Sequence, residues 1–144
     1  MTARTVFVDT GAWLAVLHQR DQYHQEAATF FRELRARRAR LVVTDLVLAE
    51  LHLHLVRGFG PERAASHLET VKTDPVLDEV FADSALQAAA LGDWIRRFSD
   101  QPFTLTDAVS FAVMRARRIP TAFTFDHHFS VAGFHVVPEK PVGK

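Results

Sequence analysis

The feature that most restricts the fold is an alternation. Short β-rich runs of three to six residues recur along the chain, and each pair is separated by a segment with helical periodicity. The runs are Thr5–Val8, Leu41–Val43, Val76–Phe81 and Thr121–Phe125, with a shorter fifth candidate at Phe134–Val137. Between the first two, a short helix is expected over Gly11–Leu17. A longer one over Tyr23–Arg38 follows, because Ala27, Phe30, Phe31 and Leu34 repeat at i, i+3, i+4 and i+7. Asp45–Val56 reads as a mostly buried helix beside a Thr44 cap, stopped near Gly58 and Gly60. Pro61 then starts another helix at the one turn where proline is tolerated. Ser84–Phe98 is expected to be helical with Asp83 as its cap, and Thr106–Arg117 to be helical and to end before Pro120. Strands that alternate with helices predict a parallel sheet covered on both faces: a three-layer α/β/α architecture around four to five strands. A length of 144 residues suits one domain over 1–144.

Bulk composition removes several function classes. There are no cysteines, so disulfides and thiolate metal sites are excluded. No signal-like segment opens the chain and no apolar stretch is long enough to span a membrane, so a cytoplasmic setting is expected. Lys+Arg and Asp+Glu number 17 each, and this balance does not by itself advertise a nucleic-acid binder. The distribution is less even. Arg32, Arg35, Arg37, Arg38 and Arg40 form one basic cluster, and Arg115, Arg117 and Arg118 form a second. Each is either a solvated helix face or a rim that touches phosphate.

Four acidic residues are notable for their positions. Asp9 closes the first strand, Glu50 stands within Leu46-Val47-Leu48-Ala49-Glu50-Leu51, Asp107 follows Thr106 at a helix start, and Asp126 closes the Thr121–Phe125 run. Asp9, Asp107 and Asp126 could each be explained as local caps or turn formers. Glu50 resists that explanation, since a buried carboxylate needs an arginine, a hydrogen-bond network or a metal. Together the four map to the carboxyl end of the predicted sheet, where α/β proteins bind ligands. Carboxylates gathered there repel unless a cation holds them. Hard oxygen ligands suit Mg²⁺ or Mn²⁺, which can activate water and hold a scissile phosphate. No glycine-rich phosphate loop is present.

Four segments carry a family resemblance: Phe7-Val8-Asp9-Thr10-Gly11-Ala12-Trp13, Thr44-Asp45-Leu46-Val47-Leu48-Ala49-Glu50, Leu105-Thr106-Asp107-Ala108-Val109-Ser110 and Phe123-Thr124-Phe125-Asp126-His127-His128-Phe129, with Gly133-Phe134 after them. In this order they resemble the PIN-domain ribonucleases of the VapC toxin type, over about Val6 to Val137. The resemblance implies a metal-dependent endoribonuclease with Asp9, Glu50, Asp107 and Asp126 as its acidic quartet. Asp9 and Asp107 would be direct ligands of Mg²⁺ or Mn²⁺; Glu50 and Asp126 would complete the site through waters or a second ion. Thr10 and Thr106 occupy positions where such proteins carry a hydroxyl beside the carboxylates. Arg115, Arg117, Arg118 and His127 are candidate RNA contacts. The resemblance further implies a small antitoxin partner and a homodimer. Trp13, Phe30 and Phe31 are candidates for the edge of the antitoxin groove, with the core as the alternative place for some of them; Trp13 reads as core or interface.

Competing readings stay open. An aspartyl-phosphate phosphohydrolase would use Asp9 as nucleophile, but it usually wants a second aspartate two residues on, where Gly11 stands. A non-catalytic module of the same fold would keep the buried charges as a liability, and a housekeeping nuclease would share the chemistry without the antitoxin. His127-His128 suggests a transition-metal pair, yet adjacent side chains rarely converge. His52 and His54 lie on opposed helix faces. Asp100 and Ser110 read as a loop residue and a packed helix residue.

Overall fold

A computed structural model describes residues 4–140. Five parallel strands, β1 (Thr5–Val8), β2 (Arg40–Thr44), β3 (Leu77–Val80), β4 (Thr121–Phe123) and β5 (His135–Val137), lie in the order β3-β2-β1-β4-β5. The helices are α1 (Thr10–Leu17), α2 (His24–Ala36), α3 (Asp45–Phe59), α4 (Pro61–Lys72), α5 (Ser84–Ala89), α6 (Leu105–Ala116) and α7 (His128–Val131), with a π-helical stretch at Ala90–Arg96 continuing α5. They cover both faces of the sheet. The central strand shows why. Val6, Phe7 and Val8 point alternately to opposite faces, and all three are fully buried. Helix α6 is buried without interruption from Asp107 to Met114, so it lies inside the protein rather than on it. No helix among the described residues is long and apolar enough to cross a membrane.

Most element boundaries agree with the sequence pattern. Thr44 caps α3 by accepting from the Val47 N–H at 3.1 Å, and Asp83 caps α5 by accepting from Leu86 N–H at 2.9 Å. Three expectations are corrected. The expected helix over Ser84–Phe98 widens to π geometry at Ala90. There Trp94 packs on Phe98, Phe111 and Phe134, and this packing, invisible to local periodicity, decides the hydrogen-bond register. Strand β4 ends at Phe123, not at Phe125. The Thr124 N–H still reaches Val137 O, but the Thr124 hydroxyl accepts from the Asp126 N–H at 2.9 Å and turns the chain away. Finally, α3 is not mostly buried: Leu53, on the same side as Glu50, is 48% exposed. Its apolar pattern overstated its burial.

Parallel strands all present their carboxyl ends to one edge. The starts of α1, α3 and α6 therefore gather at that edge, and their C-terminal ends run toward the other.

Candidate active site

Asp9 follows β1 directly. It stands at the N-cap position of α1, but its side chain makes no capping bond. Instead Asp9 Oδ2 accepts from the Thr124 hydroxyl at 3.0 Å, across the β1–β4 pair. The local-cap explanation thus fails for Asp9. For Asp107 it holds in part. Thr104, not Thr106, caps α6: the Thr104 hydroxyl accepts from the Asp107 N–H, and Asp107 Oδ2 accepts from the Thr104 N–H, both at 3.1 Å. The box fixes the rotamer of a buried carboxylate. Thr106 makes a different contact, its carbonyl accepting from the Ser110 hydroxyl at 2.8 Å, so neither Thr106 nor Ser110 orients Asp107 through a side-chain bond.

Glu50, on α3, receives a hydrogen bond from the Thr10 hydroxyl at 3.0 Å. It is half-buried, and its partner is that hydroxyl rather than an arginine. Asp126 lies beyond the end of β4, in the turn into α7, where its Oδ1 accepts from the His128 N–H at 2.9 Å. All four carboxylates, with Thr10, line one cavity of about 340 Å³, as does His54. Among the described residues, no lysine or arginine forms an ion pair with any of the four.

The electrostatic consequence is direct. Burial pushes the Asp9 carboxyl up from the ordinary 3.8 to about 7. The Asp107 and Asp126 charges add to that push, while the Thr10 backbone N–H and the Thr124 hydroxyl oppose it. Burial, with the Asp126 charge, also raises Asp107, against hydrogen bonds from Thr104 and the proximity of His128. Like charges held close without a lysine or arginine partner are the condition a divalent cation relieves. The donors are carboxylate oxygens, the chemistry Mg²⁺ and Mn²⁺ prefer, so this set fits such an ion.

From the sequence, His128 reads only as half of a histidine pair, and not as a neighbour of Asp107. Its buried Nδ1 lies 3.4 Å from both Asp107 Oδ2 and Asp126 Oδ1 and has no hydrogen-bond partner in the protein. His127 is 78% exposed, with Nδ1 at 3.8 Å from Asp126 Oδ1. Potential ligand atoms of Asp126, His127 and His128 all lie within 4.8 Å of one another, so the adjacent histidines do converge, around Asp126. Thr124 and Thr104 were also missed. Both had a signal: Thr104 stands three residues before Asp107, at capping-box spacing, and Thr124 two before Asp126, at the spacing of a hydroxyl turn.

The second arginine cluster does not join this site. Helix α6 starts at the carboxyl edge and runs roughly 18 Å toward the opposite one. Arg115 pairs with Asp93 and lies over Trp94, and Arg117 pairs with Asp78 at 2.6 Å. Arg117 and Arg118 line a separate cavity with Arg4, Arg40 and Thr121, at the amino ends of β1, β2 and β4. Arg118 and Arg38 take left-handed backbone, φ 56 and 54, where α6 and α2 end. Trp13 likewise belongs to the core at 2% exposure, with Phe31 against its edge, rather than to an open groove.

Comparison with known proteins accords with this geometry. The PIN domain family model matches residues 6–135. The 23S rRNA-specific endonuclease VapC20 of Mycobacterium tuberculosis is 36% identical over 138 residues, covering 93% of this chain and 99% of that protein. The crystal structure of the same organism's VapC20, described as a sarcin-ricin loop cleaving toxin, superposes with a TM-score of 0.80 at 31% identity, over 94% of this chain and 99% of that one. VapBC2 from Rickettsia felis, solved bound to a DNA fragment from its promoter, shares the fold alone. Its TM-score is 0.66 at 14% identity, over 92% of this chain and 96% of that one. The chain belongs to the PIN-domain family, in its VapC branch.

Proposed function

We propose that this chain is a Mg²⁺- or Mn²⁺-dependent endoribonuclease, the toxin of a toxin–antitoxin pair, and that it cuts an exposed loop of large-subunit ribosomal RNA. The observation that carries the chemistry is the cavity itself: Asp9, Glu50, Asp107 and Asp126 line it, and among the described residues none of them pairs with a lysine or arginine. The substrate class follows from the likeness to VapC20 over nearly the whole of both chains.

Asp9 and Asp107 are the direct ligands in this reading, with Asp126 and Glu50 completing the site through water or a second ion. A divalent cation would supply Lewis-acid polarisation of the scissile phosphate and a lower pKa for the attacking water. The protein's own groups do the positioning. Thr124 holds the Asp9 carboxylate, and the capping box holds Asp107. The Thr10 hydroxyl occupies Glu50 Oε1, and among the described residues Oε2 has no protein donor. That oxygen takes the proton of the attacking water. His127, exposed beside Asp126, contacts a substrate phosphate. The arrangement needs no side-chain nucleophile. A small antitoxin that silences the site, a homodimeric state and a cytoplasmic setting complete the proposal.

Purified ribosomes incubated with the protein and Mn²⁺ test the substrate, with primer extension across the 23S rRNA as the readout. One discrete new end is expected, absent with Asp107→Asn. Generalised RNA decay, or no cut at all, contradicts the rRNA assignment. Expression of the chain alone is expected to arrest growth, and Asp107→Asn to relieve it; equal growth at equal protein levels contradicts the toxin assignment.

A further inference from the structure

The wall of the carboxylate cavity is not entirely polar. Tyr23 and Phe125 line it beside Asp9, Glu50 and Asp126, and their rings stack face to face, with centroids 4.4 Å apart and planes 2° from parallel. The pair is anchored inward. Phe125 meets Phe123 edge-on at 6.1 Å, and Phe123 meets Phe30 edge-on at 5.0 Å, so a column of rings runs from the core to the cavity. Tyr23 is its outermost member and is 40% exposed. Among the described residues Phe125 is its one aromatic neighbour, and no guanidinium lies over it. One face of the Tyr23 ring is covered by Phe125; the other has no stacking partner.

The loop that carries Tyr23 is fixed before any ligand arrives. Asp21 Oδ1 accepts from the Tyr23 N–H at 2.8 Å, and His24 Nδ1 lies 2.7 Å from Ala15 O. Phe125 immediately precedes Asp126 in the chain, so the ring that backs Tyr23 is one peptide unit from an acidic residue of the cavity. An exposed aromatic plane in the wall of the acidic cavity has an evident complement in the substrate of a ribonuclease. Nucleotides on either side of a cut phosphate must unstack from their neighbours, and unpaired bases are held by stacking on aromatic side chains.

We propose that Tyr23, backed by Phe125, is a nucleobase-binding subsite: the base next to the scissile phosphate stacks on the open face of the Tyr23 ring. The proposal rests on the endoribonuclease reading above. The subsite binds any base, since every base has a π face, and it therefore governs affinity and the position of the cut strand rather than base identity. Because the stack is made equally before and during the reaction, its loss raises KM and leaves kcat nearly as it was.

The test uses a synthetic RNA hairpin carrying the cleavage site mapped with the wild-type protein, in Mn²⁺. Tyr23→Ala is expected to raise KM by about 5-fold to about 150-fold with kcat within about twofold. Tyr23→Trp is expected to recover most of that loss. An abasic nucleotide, placed in turn at each position flanking the cut, is expected to reproduce the KM penalty with wild type at one position. At that position it should add nothing further in Tyr23→Ala, the coupling that marks a direct contact. Should Tyr23→Ala fold poorly, Tyr23→Leu keeps the apolar cover on Phe125 and removes the π face, and the same result is expected. Abasic penalties equal in wild type and variant at every position overturn the subsite. So does a loss confined to kcat. Unchanged RNA kinetics alongside weaker capture of a co-expressed protein would reassign the ring to protein docking. Failure of the wild type to cut any RNA removes the endoribonuclease reading itself, and this subsite with it.

Discussion

Asparagine at position 9 removes a charge that the apo protein holds at a cost. Asp9 is 7% exposed, and its carboxyl is raised from 3.8 to about 7. The sign follows from linkage. An acid whose folded pKa lies above its unfolded value weakens the folded state. The penalty is absent below pH 3.8, grows between pH 3.8 and 7, and is complete above 7. At about 1.4 kcal/mol per pH unit of displacement, the penalty is roughly 4 kcal/mol at pH 8 and under about 2 kcal/mol at pH 5. Asp9→Asn keeps an acceptor for the Thr124 hydroxyl and has no penalty to lose. The buried amide carries a cost of its own, but that cost does not vary with pH. The stability difference between variant and wild type is therefore expected to be larger at pH 8 than at pH 5 by about 2–3 kcal/mol. Urea denaturation in EDTA at the two pH values measures it. Saturating Mn²⁺ is expected to reverse the advantage at pH 8, because the ion relieves the repulsion only where the carboxylate remains. Parallel pH profiles for the two proteins in EDTA would refute the raised pKa of the buried Asp9 carboxyl.

The remaining expectations follow from placement. Titration of the metal-free wild type with millimolar Mn²⁺ should raise its thermal midpoint by several degrees, as binding to the folded state alone requires, with a flat response counting against the site. Simultaneous replacement of Arg115, Arg117 and Arg118 by alanine should change kcat/KM for the hairpin less than about threefold at 0.15 M salt, where charges more than about 8 Å away are screened; a loss above tenfold would show that RNA reaches the amino edge of the sheet. Thr10→Val leaves Glu50 without its hydroxyl donor, and kcat should fall about tenfold or more with KM little changed; equal kcat would show that the Thr10 contact does not position Glu50 for the proton transfer.

The alternation of strands and helices carried most of the architecture, because each run is set by its own residues. Val6-Phe7-Val8 reads as a strand from local composition, and the Thr44 and Asp83 caps follow from backbone chemistry within three residues. What failed depended on distant contacts. Whether the turn at Ala90 closes as α or π is decided by Trp94 against Phe111 and Phe134. Thr124 reaches Asp9 across 115 positions of chain. Glu50 looked buried because its neighbours are apolar, yet Leu53 faces solvent. The arginine placement was legible and overlooked. The rule that collects Asp9 and Asp107 at the carboxyl edge also sends the far end of α6, with Arg115, Arg117 and Arg118, to the opposite edge.

The most direct test of the central claim is cleavage of the mapped hairpin by one preparation of protein through a cycle of EDTA and readdition of Mn²⁺, with Asp107→Asn carried alongside. The acidic cavity predicts activity that disappears in EDTA, returns with Mn²⁺ in the wild type, and stays at least about a hundredfold lower in a folded Asp107→Asn protein. Cleavage that persists in EDTA, or an Asp107→Asn variant as active as the wild type, would contradict it.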